Sequence, residues 1–156
     1  MKTVFINFPL GITKIEGDEN GIAVISILSE GMISEEIPKN LIDAVHQLRD
    51  YFEGKITDFT FKLNPKGTDF QQKVWQELLN IPFGKTISYL DLAKKLGDPK
   101  VIRAAAAANG KNPLWIVVPC HRVIGTDGSL TGYAGGLWRK KWLLEHENPT
   151  NQQSLF

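Results

Sequence analysis

Apolar and polar residues alternate along much of the first part of the chain, which is the period of a strand. Beyond Gly67 the apolar residues recur at helical spacing. The opening MKTVFINFPLG reads as a first strand. Residues 12–15 and 22–28 flank GDENG, a turn sequence that predicts a hairpin. In its second arm Ala23, Ile25 and Ile27 alternate with Val24, Ser26 and Leu28, so both faces are apolar enough to be covered. Asn40 is placed to cap a helix whose apolar face is Leu41, Val45, Leu48 and Phe52, and Gly54 ends it. Phe59, Phe61 and Leu63 alternate once more and predict another strand. The loop NPKG at 64–67 marks a domain boundary, with an N-terminal domain over 1–66 and a C-terminal domain over 67–156.

The second domain opens with a helix capped by Thr68 or Asp69, its inner face made by Phe70, Val74, Trp75 and Leu78. Ser88, with Asp91 three residues on, has the spacing of a capping box for a second helix that turns Leu92, Ala93 and Leu96 inward. Gly97 closes that helix. Asp98 caps a third, with Pro99 at its first position, where proline sacrifices no hydrogen bond. Two short helices joined by a Gly-Asp turn form a helix-turn-helix pattern, and the second, alanine-rich helix carries Lys100 and Arg103. An apolar run over 115–118 predicts a buried strand. A loop follows at Gly132-Tyr133-Ala134-Gly135-Gly136. A last helix starts at Leu137, expected to bury Leu137, Leu144 and Trp138 or Trp142. The tail NPTNQQSLF is polar and expected to fray.

Charge sharpens this division. The net charge is only +1, but residues 1–93 carry nine basic and thirteen acidic side chains, while residues 94–141 carry nine basic and two acidic ones. A basic segment around a helix-turn-helix suggests a polyanionic partner. No apolar run is long enough to cross a bilayer, so no membrane partner is expected. The single cysteine allows no internal disulfide and no multi-cysteine metal site, and a reducing cytoplasm is its natural compartment.

That cysteine, Cys120, lies in IVVPCHRV (116–123), directly before His121 and Arg122. A thiol of ordinary acidity is only a few per cent thiolate at neutral pH, and a nearby cation or base raises that fraction. In an extended segment successive side chains point to opposite faces, so a bridging water is a better link between Cys120 and His121 than a direct hydrogen bond. The imidazole then needs a third group to fix its tautomer, and Glu147 at the end of the last helix is the candidate. A lone cysteine is also often just a small buried apolar residue.

VPCHRV at 118–123, with Asn112-Pro113 before it and YAGGL at 133–137 after it, closely resembles the O6-alkylguanine-DNA alkyltransferases, also called methylated-DNA–protein-cysteine methyltransferases. The likeness is strong from Gly67 to Glu147 and looser before that. It implies an α+β protein: a small ribonuclease-H-like α/β domain followed by a mostly helical, winged-helix-like domain with a helix-turn-helix. It implies that Cys120 takes the alkyl group from O6 of guanine, with O4-alkylthymine as a second candidate. It assigns His121 as the base acting through water, Glu147 as the carboxylate that orients it, and Asn112 as the brace of the active-site turn. Arg103 matches a finger that enters the duplex where the nucleotide has flipped out. Lys100 lies beside it on the same DNA-facing helix. Tyr89 matches a residue that helps rotate the phosphate and polarise the base. Val123 matches a backbone contact to the guanine amine, and Tyr133 and Ala134 match the lid.

Nothing in the sequence would regenerate a thiol from the thioether, so the protein is expected to act once, without a cofactor, as a monomer on double-stranded DNA containing O6-alkylguanine. Two departures stand out. Ala104-Ala105-Ala106 replaces a pattern that often carries glycine at its last position, and no cysteine near the N-terminus is available for a structural metal. An alkyltransferase-like protein that binds lesions without transfer is the alternative, but such proteins lack the acceptor cysteine. A cysteine hydrolase would need a separate oxyanion arrangement. A plain helix-turn-helix regulator would need no PCHR segment and would usually dimerise.

Overall fold

Strand alternation at the N-terminus builds a meander. In the computed structural model, which describes residues 1–149, β1 (Lys2–Phe8), β2 (Gly11–Asp18) and β3 (Gly21–Leu28) form an antiparallel sheet in that order. Val4 pairs with Ile15, and Ile15 with Ile25, so one face presents a buried apolar row while the other is only half covered. Helix α1 (Ile42–Phe52) contributes Ala44, Val45, Leu48 and Tyr51 to this core. The predicted Asn40 cap does not form. Asn40 lies inside a 3-10 turn (Lys39–Leu41) that leads into α1, and no side chain caps either start.

The strand expected at 59–63 is absent as well. Only Leu63 bridges to Ile22, through hydrogen bonds from Ile22 N–H to the Lys62 carbonyl and from Asn64 N–H to the Ile22 carbonyl. Phe59 and Phe61 instead stack edge to face beside Tyr51.

The chain divides into two compact units, Met1–Lys66 with Pro113–Val117, and Gly67–Asn112 with the chain from Val118 onward. Pro113–Val117 thus joins the first unit, although it lies within the stretch that follows Gly67. Ile25 N–H donates to the Pro113 carbonyl, and Trp115 N–H donates to the Ile25 carbonyl. This segment is buried but is not the predicted strand. Leu114 makes an isolated bridge, and Ile116 has φ +75°, which breaks the extension. A β-branched residue is rarely found there, and such a conformation costs on the order of 1–3 kcal/mol.

The second unit is mostly helical. Helix α2 (Asp69–Leu78) starts at a full capping box, in which Thr68 and Gln71 satisfy each other's backbone N–H groups, and it buries Val74, Trp75 and Leu78. Ser88 and Asp91 do the same for α3 (Tyr89–Lys95). Just before α3, β4 (Ile87–Ser88) runs parallel to β5 (Val123–Ile124). Gly97, at φ +101°, makes the turn that a side chain would oppose. Asp98 then caps a 3-10 turn, Pro99–Val101, that continues into α4 (Ile102–Gly110). Trp75 donates its indole N–H to the Ala108 carbonyl at 2.9 Å, tying α2 to α4. Helix α5 (Leu137–Glu147) closes the unit. No helix among the described residues is long and apolar enough to cross a membrane, and most of the polar tail lies outside them.

Candidate active site and nucleic-acid face

The PCHR segment is not extended. Cys120–Arg122 form a 3-10 turn between the buried run and β5. Asn112 holds this turn in place, donating from Nδ2 to the Val118 carbonyl at 2.7 Å, and its side chain is within hydrogen-bonding reach of the thiol. Asn109, at the end of α4, donates to the Cys120 carbonyl at 3.4 Å. Cys120 is 5 % exposed, and its thiol faces polar groups. Burial pushes the thiol's pKa up, opposed by the Asn112 hydrogen bond and the charge of Lys140. A thiol of raised pKa rests protonated, so it needs a base to become a nucleophile.

His121 is fully buried. Its Nε2 lies 2.8 Å from Glu147 Oε2. Arg122 grips the same carboxylate from its other side, with Nε at 2.8 Å from Oε1 and Nη2 at 3.0 Å from Oε2, while Nη1 donates to the Ile81 carbonyl at 2.6 Å. Burial alone would raise the Glu147 pKa. The charges and hydrogen bonds of His121 and Arg122 outweigh it and hold the carboxyl well below the usual carboxylate range. An ionised Glu147 accepts the Nε2 proton, which makes Nδ1 the basic nitrogen. Nδ1 has no hydrogen-bond partner among the described residues, and no direct Cys120–His121 hydrogen bond forms.

Sequence reasoning misjudged two features here. Arg122 is a candidate cation for the thiol by adjacency, but its guanidinium is committed to Glu147. The cation that acts on Cys120 is Lys140. Helix α5 also presents an unexpected face. Leu137 is 48 % exposed and Trp138 55 % exposed, while Lys140, Leu143, Leu144 and Glu147 turn inward. Two charged residues occupy the ends of that stripe, so hydrophobicity alone could not find it; the i, i+3, i+4, i+7 spacing could have.

The remaining expected residues surround the turn. Tyr89, at the start of α3, is half-buried; burial raises its hydroxyl pKa against the influence of Thr131 and Asn109. Tyr133 is also half-buried, and its hydroxyl pKa is pushed well up by burial and by the charge of Cys120. Ala134 is exposed beside it. The Val123 carbonyl accepts a hydrogen bond from Lys140, leaving its second lone pair. On the helix-turn-helix, Lys100, Arg103, Ala104 and Ala107 form an exposed stripe, whereas Ala105, Ala108 and Asn109 pack inward. The alanines therefore serve both readings, with one face for the core and one for close approach by a partner. Among the described residues no three His, Cys, Asp or Glu side chains cluster as a metal would require.

A cationic helix-turn-helix face on the same unit as a buried thiol, with a histidine-carboxylate pair beside it, defines a DNA-binding protein built around a cysteine. Residues 69–149 match the sequence profile of the 6-O-methylguanine DNA methyltransferase DNA-binding domain, and residues 1–65 match that of the ribonuclease-like domain of the same enzymes. A methylated-DNA–protein-cysteine methyltransferase of Methanosarcina barkeri is 44 % identical over 149 residues, covering 91 % of this chain and 94 % of that one. The crystal structure of Mycobacterium tuberculosis O6-methylguanine methyltransferase superposes with a TM-score of 0.84 at 42 % identity, covering 94 % of this chain and 92 % of that one. The structure of the M. tuberculosis protein in complex with DNA also gives 0.84 at 42 % identity, over 97 % and 92 % of the two chains. The chain belongs to the 6-O-methylguanine DNA methyltransferase family.

Proposed function

We propose that this protein repairs double-stranded DNA by moving the alkyl group of O6-alkylguanine onto Cys120, once per molecule. The observation that carries the assignment is the buried thiol on a turn braced by Asn112, next to a histidine whose Nε2 is locked to Glu147 and whose Nδ1 has no hydrogen-bond partner among the described residues. The thiol proton passes to His121 Nδ1 through a bridging water, and the imidazolium is stabilised by Glu147. The sulfur lone pair attacks the alkyl carbon, the C–O6 bond breaks, and guanine leaves with its electrons. Tyr89 and the lid backbone at Ala134 stabilise the charge on the departing base. The target atom is buried in the base stack, so the nucleotide must first be extruded, with Arg103 filling the gap and Lys100 holding the backbone. The small side chains of the α4 stripe let that helix lie close to the duplex.

Mass spectrometry after incubation with an oligonucleotide carrying O6-methylguanine tests this directly. One methyl group is expected on the peptide holding Cys120, with product stopping once the protein is consumed. Continued turnover in excess substrate, or a methyl group elsewhere, would refute the assignment. Arg103→Ala is expected to slow repair of duplex DNA on the order of tenfold or more, because unstacking costs a few kcal/mol. The same variant should leave reaction with the free base O6-benzylguanine close to wild type. Equal losses on both substrates would remove the finger role.

A further inference from the structure

Arg139 lies in the first turn of α5, where a cation opposes the helix macrodipole, so helix physics alone does not favour it. Its contacts point the other way along the chain, to the lid loop. Nη1 donates to the Gly135 carbonyl at 2.7 Å, and the guanidinium lies 4.5 Å from the centre of the Trp138 ring. Trp138, which the core leaves exposed, thus serves as a seat that holds the guanidinium in one orientation.

The carbonyl that Arg139 grips is the first link of a short relay. Gly135 C=O and Gly136 N–H share one rigid plane and point opposite ways, as in any trans peptide. Gly136 N–H donates to the Tyr133 carbonyl at 2.9 Å, closing a turn with Ala134 and Gly135 at its centre. Tyr133 C=O in turn shares a plane with Ala134 N–H. Each peptide therefore receives a hydrogen bond at its oxygen and offers one at its nitrogen, from the guanidinium outward to Ala134 N–H. Two successive glycines leave this turn free to take many shapes, and Gly136 sits at φ +92°, where a side chain would be strained. The guanidinium removes that freedom. As a charged donor it also polarises the peptides beyond it, since hydrogen bonds in a chain strengthen one another.

We propose that Arg139 is a positioning residue for alkyl transfer, aiming and polarising the Ala134 N–H through the two peptides of the lid turn. This rests on the reading that Cys120 takes the alkyl group while the lid backbone at Ala134 meets guanine O6. No proton moves along the relay. As sulfur bonds to the alkyl carbon, the electrons of the C–O6 bond pass to guanine, and the aimed N–H stabilises the charge that gathers on O6.

The test compares two reactions of the same thiol in the full chain. One is single-turnover transfer from an oligonucleotide carrying O6-methylguanine. The other is alkylation by iodoacetamide, which reads Cys120 because the chain has no other thiol, and whose iodide leaves without help from the lid. Arg139→Met and Arg139→Ala both remove the donor. Each is expected to slow transfer about tenfold or more, as a misplaced donor does, with duplex affinity and the iodoacetamide rate at their wild-type values. Equal losses in both reactions would make Arg139 a prop for the reactive turn and overturn the proposal, as would transfer at the wild-type rate.

Amide hydrogen exchange reads the lid without the chemistry. In either variant the Gly136 N–H is expected to lose protection while the amides of α2 and α4 keep theirs, which also shows that the variant is folded. Unchanged protection at Gly136 would overturn the proposal. The acceptor reading is judged separately, since transfer surviving in Cys120→Ser would defeat it whatever the Arg139 variants do.

Discussion

Replacing Arg122 with leucine is expected to destabilise the protein by about 3–5 kcal/mol at neutral pH, the usual cost of removing one partner of a buried ion pair. The reason is what stays behind. Glu147 is nearly inaccessible to water and accepts two of the guanidinium hydrogen bonds, while the Ile81 carbonyl accepts a third. With leucine in place, the buried carboxylate would lose its guanidinium partner, and the Ile81 carbonyl would lose the Arg122 hydrogen bond. The double variant Arg122→Leu with Glu147→Leu should recover much of that loss, since it leaves no buried charge uncompensated.

The pH dependence follows from the same contacts. The folded-state pKa of Glu147 lies below its unfolded value, so its contribution is fully present above the ordinary carboxylate range. That contribution is lost as pH falls through about 4 and below. Urea denaturation of the full chain at neutral and acidic pH measures both effects. A neutral-pH change under about 1 kcal/mol for Arg122→Leu would mean the pair is far more solvated than its geometry indicates.

Glu147→Gln is expected to slow alkyl transfer by about 10²-fold or more, in the range that general-base catalysis supplies, while leaving affinity for duplex DNA nearly unchanged. The substitution is close in shape but wrong in hydrogen bonding. Both carboxylate oxygens receive N–H groups, Oε1 from Arg122 and Oε2 from Arg122 and His121. An amide nitrogen at the Oε1 position would confront the Arg122 Nε–H. At the Oε2 position it would confront Arg122 and would donate to His121 Nε2, forcing the proton onto Nδ1 and removing the base from the nitrogen that needs it. On the reading proposed above, DNA is held by the exposed Lys100–Arg103–Ala104–Ala107 stripe, which the change does not touch. Single-turnover rates with a methylated oligonucleotide, set beside binding measurements, separate the two effects. A transfer rate within about twofold of wild type would eliminate the orienting role of Glu147, since even one lost general-base contribution is larger than that.

Local signals read well from sequence where local physics decides the outcome. Thr68 and Ser88 satisfy backbone N–H groups of their own first turns, so their caps depend on little beyond a few neighbouring residues. The hairpin around residues 17–21 likewise carries its turn chemistry within itself. Failures occur where distant residues decide. Residues 115–118 are as apolar as a strand, but Ile116 takes a left-handed conformation that no propensity favours. Residues 59–63 alternate as a strand, yet find a backbone partner only at Leu63.

In α5 the hydrophobic pattern points to Leu137, Leu144 and Trp138 or Trp142; the structure buries Leu144 but exposes Leu137 and Trp138, and it buries Lys140 and Glu147 because each meets partners from another part of the second unit. Cys120, His121, Asn112 and Glu147 are candidates through their resemblance to a known motif, and the structure places Asn112 on the turn that carries Cys120 and His121, and Glu147 on the imidazole. Asn109 and Lys140 carried no motif. Their contribution depends on carbonyls at Cys120, Val123, Thr131 and Gly132, which a sequence does not mark as acceptors.

The excursion of Pro113–Val117 into the first unit limits how the molecule can be dissected. A fragment beginning at Gly67 would retain Leu114, Ile116 and Val117 but lose Ile25, whose backbone pairs with that segment, leaving a greasy, unpaired stretch within a few residues of the sulfur. The boundary at Lys66 is therefore not a clean seam for trimming the protein. The amino-terminal sheet covers that segment, and its loss would surface first as stickiness.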